Sequence, residues 1–220
     1  MKECISLILL TVFVNISLQA QQDPAAKEVL DKFTRKAESD FPVRIEFEYT
    51  YESLIDNETY TETGELILNG NQYHLIFRDS EVISNGSVLW NCLKSEDEVY
   101  ISDPANASGE DEFFLSNPEK LFSFYDNEFK YRLTGELNQL GTDYYQVDLF
   151  PFDLNRSYHT ITLLIQQDNY QLYSLGTKGK QGVNHTITIR NYQANYKTTD
   201  ETFSFDPSLH PEIEIIDTRL

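Results

Sequence analysis

Between Arg44 and Glu52 the chain alternates without a break: Ile45, Phe47, Tyr49 and Tyr51 are apolar, and Arg44, Glu46, Glu48, Thr50 and Glu52 are polar. Successive side chains of a strand point to opposite faces, so this stretch predicts a strand with one dry and one wet face. The same period of two returns along the chain. Tyr60 to Leu68 reads as the return strand, and Asn69-Gly70 is a hairpin signal. Tyr73, Leu75 and Phe77 alternate next, and Asn85-Gly86 marks a tight turn before Val88 to Leu93. Val99 to Ser102 is short. Phe129, Tyr131 and Leu133 resume the pattern, followed by Tyr145, Val147 and Leu149, then His159 to Ile165, Tyr170 to Thr177 and Val183 to Ile189. Phe203-Ser204-Phe205 and Ile213 to Ile216 are closing segments. The total is about eleven strands with short turns, which predicts a mainly β (α+β) chain built as a sandwich, a barrel or one strongly curved sheet.

Two helices interrupt this regularity. Asp23 is a good N-cap and Pro24 suits the first helical position; Ala26, Val29, Leu30, Phe33 and Ala37 follow at helical spacing until Pro42. Asn117-Pro118 repeats the cap logic and predicts a second helix over Pro118 to Tyr125, just after the polar, acidic loop Asp103 to Glu112. Both fit a barrel or curved sheet with helices packed into its mouth.

The N-terminus predicts export. Lys2 gives a positive start, Ile5 to Leu18 is largely apolar, and Leu18-Gln19-Ala20 offers a cleavage point near Ala20. Residues 1–20 are therefore expected to be a signal peptide and 21–220 a single domain. No later run is long enough for a membrane span, so the processed chain is expected to be soluble. Removal of the leader takes Cys4 with it and leaves Cys92 alone, which excludes an intramolecular disulfide and favours a small buried hydrophobe. The formal net charge of −19 repels nucleic-acid phosphates and anionic headgroups, so nucleic acid is set aside as a partner.

Catalytic signatures are missing. There is no G-x-S-x-G, no H-E-x-x-H and no phosphate-cradling glycine loop. His159 and His185 stand at alternation positions on strands that could be neighbours, but ordinary sheet histidines are the better account. The clusters Glu96-Asp97-Glu98 and Glu110-Asp111-Glu112 do not match a calcium-loop pattern and read as solvated charge. No enzyme activity, metal or cofactor is expected. The compositional anomaly is aromatic: 14 Tyr and 14 Phe. These rings could all fill a core, or part of them could line a lipid-sized cavity, with Tyr hydroxyls serving a polar rim.

Five local motifs in order then carry a resemblance. The N-terminal helix running into an alternating strand, Gly64-Glu65-Leu66-Ile67-Leu68, the Val82 to Trp90 hairpin, the Pro118 to Tyr125 segment and Phe203-Ser204-Phe205-Asp206-Pro207 are together similar to the outer-membrane lipoprotein carrier family, LolA. The Tyr158 to Ile161 strand and the Asp126 to Leu133 stretch resemble the form found in Bacteroidetes. The resemblance implies an open, incomplete antiparallel β-barrel with an N-terminal helix and a lid helix over its concave face. It also implies a periplasmic carrier that shields lipoprotein acyl chains between an inner-membrane ABC-type lipoprotein-releasing complex and an outer-membrane acceptor, where one is present. A monomer is expected. The alternative is an envelope lipid- or protein-binding sensor on the same barrel. The family's proteobacterial members hold the lid shut with an arginine in the turn after the second strand. Here Asn69-Gly70-Asn71 occupies that turn, so this lock does not carry over. The expected cavity wall is Ile45, Phe47, Tyr49, Tyr73, Leu75, Phe77, Trp90, Tyr131, Leu133, Leu163 and Ile187, and the expected lid residues are Leu121, Phe122, Phe124 and Tyr125. One short helix cannot turn all four lid residues to one side.

Overall fold

A computed structural model describes residues 22–106, 115, 117–123 and 125–219. The expected signal peptide, residues 107–112 of the acidic loop and the lid residue Phe124 lie outside the described residues.

Helix α1 spans Pro24–Asp40. The Asp23 carboxylate accepts from the backbone N–H groups of Ala25 (3.0 Å) and Ala26 (3.4 Å), which otherwise have no partner in the first turn. Ala26, Val29, Leu30, Phe33 and Ala37 are its buried stripe. Pro42 disfavours helical backbone at the residue before it, and the helix stops there.

The strands are β1 (Val43–Ser53), β2 (Glu58–Asn69), β3 (Gln72–Phe77), β4 (Ser80–Ser84), β5 (Leu89–Leu93), β6 (Glu98–Ser102), β7 (Phe129–Gln139), β8 (Thr142–Pro151), β9 (Tyr158–Gln166), β10 (Leu172–Gly179), β11 (Val183–Gln193) and β12 (Glu214–Asp217). They form one sheet in the order β12-β6-β5-β4-β3-β2-β1-β11-β10-β9-β8-β7. Two antiparallel meanders, β1 to β6 and β7 to β11, join where β1 pairs with β11. The sheet does not close: β7 is one edge, and β12, parallel to β6, is the other. The chain is therefore mainly β with an open sheet, as the alternation and the resemblance imply.

Three sequence expectations need correction. The sheet holds twelve strands where the sequence pattern suggested about eleven. The strand that the alternation left out is β4, the first arm of the expected Val82 to Trp90 hairpin, reached by a turn in which Arg78 takes a positive φ of 57° without a glycine to announce it. The Phe203-Ser204-Phe205 segment is no strand: Asp200–Phe203 is a 3-10 turn that buries Phe203. Pro118 to Tyr125 is not one helix either. It is a 3-10 turn, Pro118–Lys120, followed by a hydrogen-bonded turn and a four-residue helix α2, Tyr125–Glu128. Asn117 makes no side-chain cap, so nothing secures the first turn of a longer helix.

Candidate functional site

Register converts the alternating residues into continuous rows across the sheet. One row runs Leu75, Leu66, Ile45, Tyr192; the next runs Phe77, Gly64, Phe47, Ile189; a third runs Tyr49, Ile187, Leu175, Leu163, Val147, Leu133. All lie on the concave face, and most of their side chains are fully buried in one hydrophobic layer. Gly64 allows a close approach in this layer, since a Cβ there would run into the Phe47 ring. The Phe47, Phe77 and Tyr49 rings contact one another at 5.9 and 5.3 Å between centroids. Each such large side chain contributes about 1.5–3 kcal/mol on burial.

Of the expected wall, Ile45, Phe47, Tyr49, Tyr73, Leu75, Phe77, Tyr131, Leu163 and Ile187 belong to this layer, with Leu133 packed against it. Trp90 does not join them. It pairs with Ile83 and Ile101, and Ile83 pairs with His74. This row faces the outer side, because Leu89, one residue earlier, is the member of β5 in the concave layer. The sequence signal was a hairpin, and a hairpin does not say which residue of a strand points inward.

α1 and the segment 117–128 cover the layer. Leu121, Phe122 and Tyr125 are 2%, 3% and 3% exposed. The Phe122 ring meets Phe33 edge-on at 5.5 Å and Phe41 at 6.1 Å. A compact polar latch lies behind it: the Thr34 hydroxyl donates to the Phe122 carbonyl (2.7 Å), the Tyr125 hydroxyl donates to the Leu30 carbonyl (2.9 Å), and the two hydroxyl oxygens stand 2.6 Å apart. Two hydroxyl protons serve three short contacts, so the arrangement is tight but not redundant. Thr34 stands on the apolar stripe four residues after Leu30, a placement visible in the sequence, but its partner is 91 residues away.

A second clasp holds the far end of the segment. Arg156, in the β8–β9 loop, bonds the Glu128 carboxylate and donates to the Tyr158 hydroxyl (2.6 Å). Its guanidinium lies over the Phe129 and Tyr158 rings, at 5.5 and 5.8 Å. The Phe152 N–H donates to the Glu128 carbonyl at 2.9 Å. Near the Pro118 end, burial pushes the Tyr73 phenol above its ordinary range, and the Glu119 carboxylate adds to the shift. Gly70, with a φ of 63°, serves its hairpin turn and has open space around it.

The α1 end also seals part of one sheet edge. The Gln22 amide donates to the Phe129 carbonyl (2.9 Å) and its oxygen accepts from the Tyr131 N–H (3.2 Å). Asp23 accepts from the Leu133 N–H (3.0 Å), the leading reason its carboxyl lies below the ordinary range. These side chains satisfy β7 as a neighbouring strand would.

Cavities open at two margins of the layer. One, of about 350 Å³, is lined by Leu75, Phe77, Val82, Leu93 and Leu115 among others. The other, of about 380 Å³, lies at the opposite half of the sheet against Tyr51, Tyr158, Thr177 and His185. A larger groove of about 920 Å³ runs on the outer face beneath the C-terminal segment. His159 and His185 do not converge, because β10 separates their strands. His159 bonds Thr160, and His185 Nδ1 lies 2.6 Å from the Tyr49 hydroxyl. Cys92 is buried, and burial pushes its thiol up to about 11, so it stays protonated. Among the described residues, no three His, Cys, Asp or Glu side chains are grouped to hold a metal, and no helix is long and apolar enough to cross a membrane.

An open single sheet wrapped around an apolar layer, with a helix and a short latched segment as its cover, is a fold of the lipoprotein-carrier type. The chain belongs to the outer membrane lipoprotein carrier protein LolA family, whose model matches residues 16–183. No curated protein sequence matches. Solved structures share the fold at low identity. An uncharacterized conserved protein from Thermus thermophilus superposes with a TM-score of 0.57 at 10% identity, covering 88% of this chain and 99% of its own. A DUF1329 family protein from Desulfovibrio piger gives 0.50 at 16%, covering 86% and 99%. LprF from Mycobacterium bovis gives 0.50 at 12%, covering 83% and 99%.

Proposed function

We propose that this protein is a periplasmic carrier, exported by a cleaved signal peptide. It shields the acyl chains of lipoproteins on its concave face and shuttles them from the inner to the outer membrane without catalysis. The observation that carries the proposal is the unequal build of the apolar layer: one wall is a continuous sheet, and part of the other is the short 117–128 segment, fastened at separate points.

The energetics suit reversible loading. Displacing Leu121, Phe122 and Tyr125 exposes side chains worth about 1.5–3 kcal/mol each, while every acyl CH₂ that takes their place recovers about 0.8 kcal/mol. The lid side chains act as stand-ins for cargo, so an empty carrier keeps its layer dry and a loaded one does not bind irretrievably. The Thr34–Tyr125 latch and the Arg156–Glu128 clasp set the cost of opening. Loading requires a donor that presents acyl chains, an inner-membrane ABC-type complex, and delivery requires an outer-membrane acceptor or the membrane itself.

The test is lipoprotein release from inner-membrane vesicles. Wild-type protein should carry lipoprotein into the soluble fraction. Phe122→Glu, which places a charge where an acyl chain would lie, should lower the yield severalfold while retaining the fold by circular dichroism. Equal yield in both refutes the lid's role, and no release by either refutes the carrier.

A further inference from the structure

We propose that the cavity bounded by Tyr51, Ser157, Tyr158, Thr177, Gln181 and His185 seats the uncharged, ester-bearing head of an acylated ligand whose chains lie on the concave layer. The proposal rests on the carrier reading and adds the ligand's polar chemistry and its direction in the barrel.

Composition changes abruptly along the strands. The row Tyr49, Ile187, Leu175, Leu163 is buried, and apolar apart from the Tyr49 hydroxyl. Two residues further out, the aligned row is Tyr51, His185, Thr177, Ile161, and its first three members carry hydrogen-bonding groups. Two residues of strand span about 7 Å, so hydrocarbon-compatible surface gives way to polar surface over roughly the depth of an ester linkage. The cavity of about 380 Å³ opens at this row. That is the low end of ligand clefts, about 300–1,000 Å³, enough for a small polar head and too little for several long chains.

The lining also selects charge. Tyr51, Ser157, Thr177 and Gln181 offer neutral hydroxyl and amide donors, the groups an ester carbonyl accepts from. The cations at this end are Arg156, ion-paired with Glu128 and bonded to Tyr158, and Lys180, whose ammonium bonds the Leu154 carbonyl. A carboxylate or phosphate entering here would lose its hydration and meet a guanidinium already paired and an ammonium already bonded to a backbone carbonyl, whereas an ester or glycerol hydroxyl loses little. The chain's net charge of −19 acts in the same sense.

The surrounding turns fit an entrance for such a ligand. The Leu54 N–H donates to the Gly182 carbonyl (2.8 Å), the Lys180 N–H donates to the Ser157 carbonyl (2.8 Å), and the Lys180 ammonium bonds the Leu154 carbonyl, so three turns gather at this end. Leu54, Ile55 and Leu154 are 63%, 75% and 78% exposed there. An apolar rim around a polar pocket matches a ligand drawn from a membrane, chains first.

The experiment is competitive binding of two fluorescent probes of equal chain length, a diacylglycerol and a free fatty acid, to the processed full chain. The variants are Thr177→Val, which keeps the buried shape, and Gln181→Leu, on an exposed turn. Loss of one or two neutral hydrogen bonds should lower the diacylglycerol-to-fatty-acid affinity ratio about tenfold in the double variant, and by less in each single variant. An unchanged ratio overturns the proposal and leaves the carrier reading standing. A wild-type preference for the fatty acid overturns it too. Failure of wild type to bind either probe overturns the carrier reading and this proposal together.

Discussion

The two faces of the sheet are made by the same strands, one residue apart, yet they are held by different physics. On the outer face β1 carries Arg44, which pairs with Glu65 (2.6 Å) and Glu46 (2.7 Å), and Glu48, which pairs with Arg190 (2.6 Å). Further along, His74 and Lys94 meet Glu81 at 2.7 and 3.1 Å. These partners are part-exposed and screened by solvent, so each pair contributes at most about 1 kcal/mol. Apart from its polar end and the Tyr49–His185 contact, the concave face has its strength in apolar burial and uses side-chain hydrogen bonds to fasten its cover. The proposed carrier role needs this division: a wall that does not yield and a cover that can.

Substitutions that break this comparison should fall in a definite order. Phe47→Ala, in the middle of the concave wall, should cost about 3–5 kcal/mol in urea unfolding, because the ring leaves a cavity opposite Gly64. Tyr125→Phe should cost about 1–2 kcal/mol, concentrated in the cover: hydrogen exchange should quicken over 117–128 and change little in β1 or β11. Asp23→Ala should cost about 1 kcal/mol by thermal unfolding, since it removes both a helix cap and the bond to the β7 edge. Arg190→Ala, on the outer face, should change stability by less than about 1 kcal/mol, and less still in high salt.

Acid sharpens the contrast. Glu81 is held down to about 2, chiefly by its bond to His74 and then by Lys94. The Asp23 carboxyl is also depressed, first by the Leu133 N–H. A depressed carboxyl contributes stability that is complete above its unfolded pKa and is lost as pH falls through the folded one. Stability should therefore decline from about pH 4.5 toward 2. Glu81→Gln should flatten that decline, and a substitution confined to the apolar wall, such as Leu163→Val, should leave its slope unchanged.

Most of the wall was legible in the sequence, because alternation writes the buried face directly. Ile45, Phe47, Tyr49, Leu163 and Ile187 need only their own strands to be assigned. Trp90 was misplaced because its face follows from the register of β4 on β5, a fact about pairing and not about period. The residues proposed as a lid read in sequence as an apolar cluster, but the shape of the segment around Leu121, Phe122 and Tyr125 was not legible. A proline after an asparagine suggests a helix start, yet nothing local reveals that the turn ends after Lys120 and restarts at Tyr125. The latch between Thr34 and Tyr125 and the clasp between Arg156 and Glu128 join distant parts of the chain, so no local pattern encodes either. Thr177 and His185, which give the concave face its polar end, look in sequence like ordinary polar residues of a strand.

Photo-crosslinking tests the central claim, that acyl chains rest on the concave wall, most directly. A benzophenone amino acid at Tyr131, on the concave layer, and at Trp90, on the outer face, would be irradiated with lipoprotein released from inner-membrane vesicles. A carrier built this way should crosslink strongly to the acylated N-terminus from position 131 and at background level from position 90. Equal crosslinking from both, or crosslinking from position 90 alone, would contradict the claim.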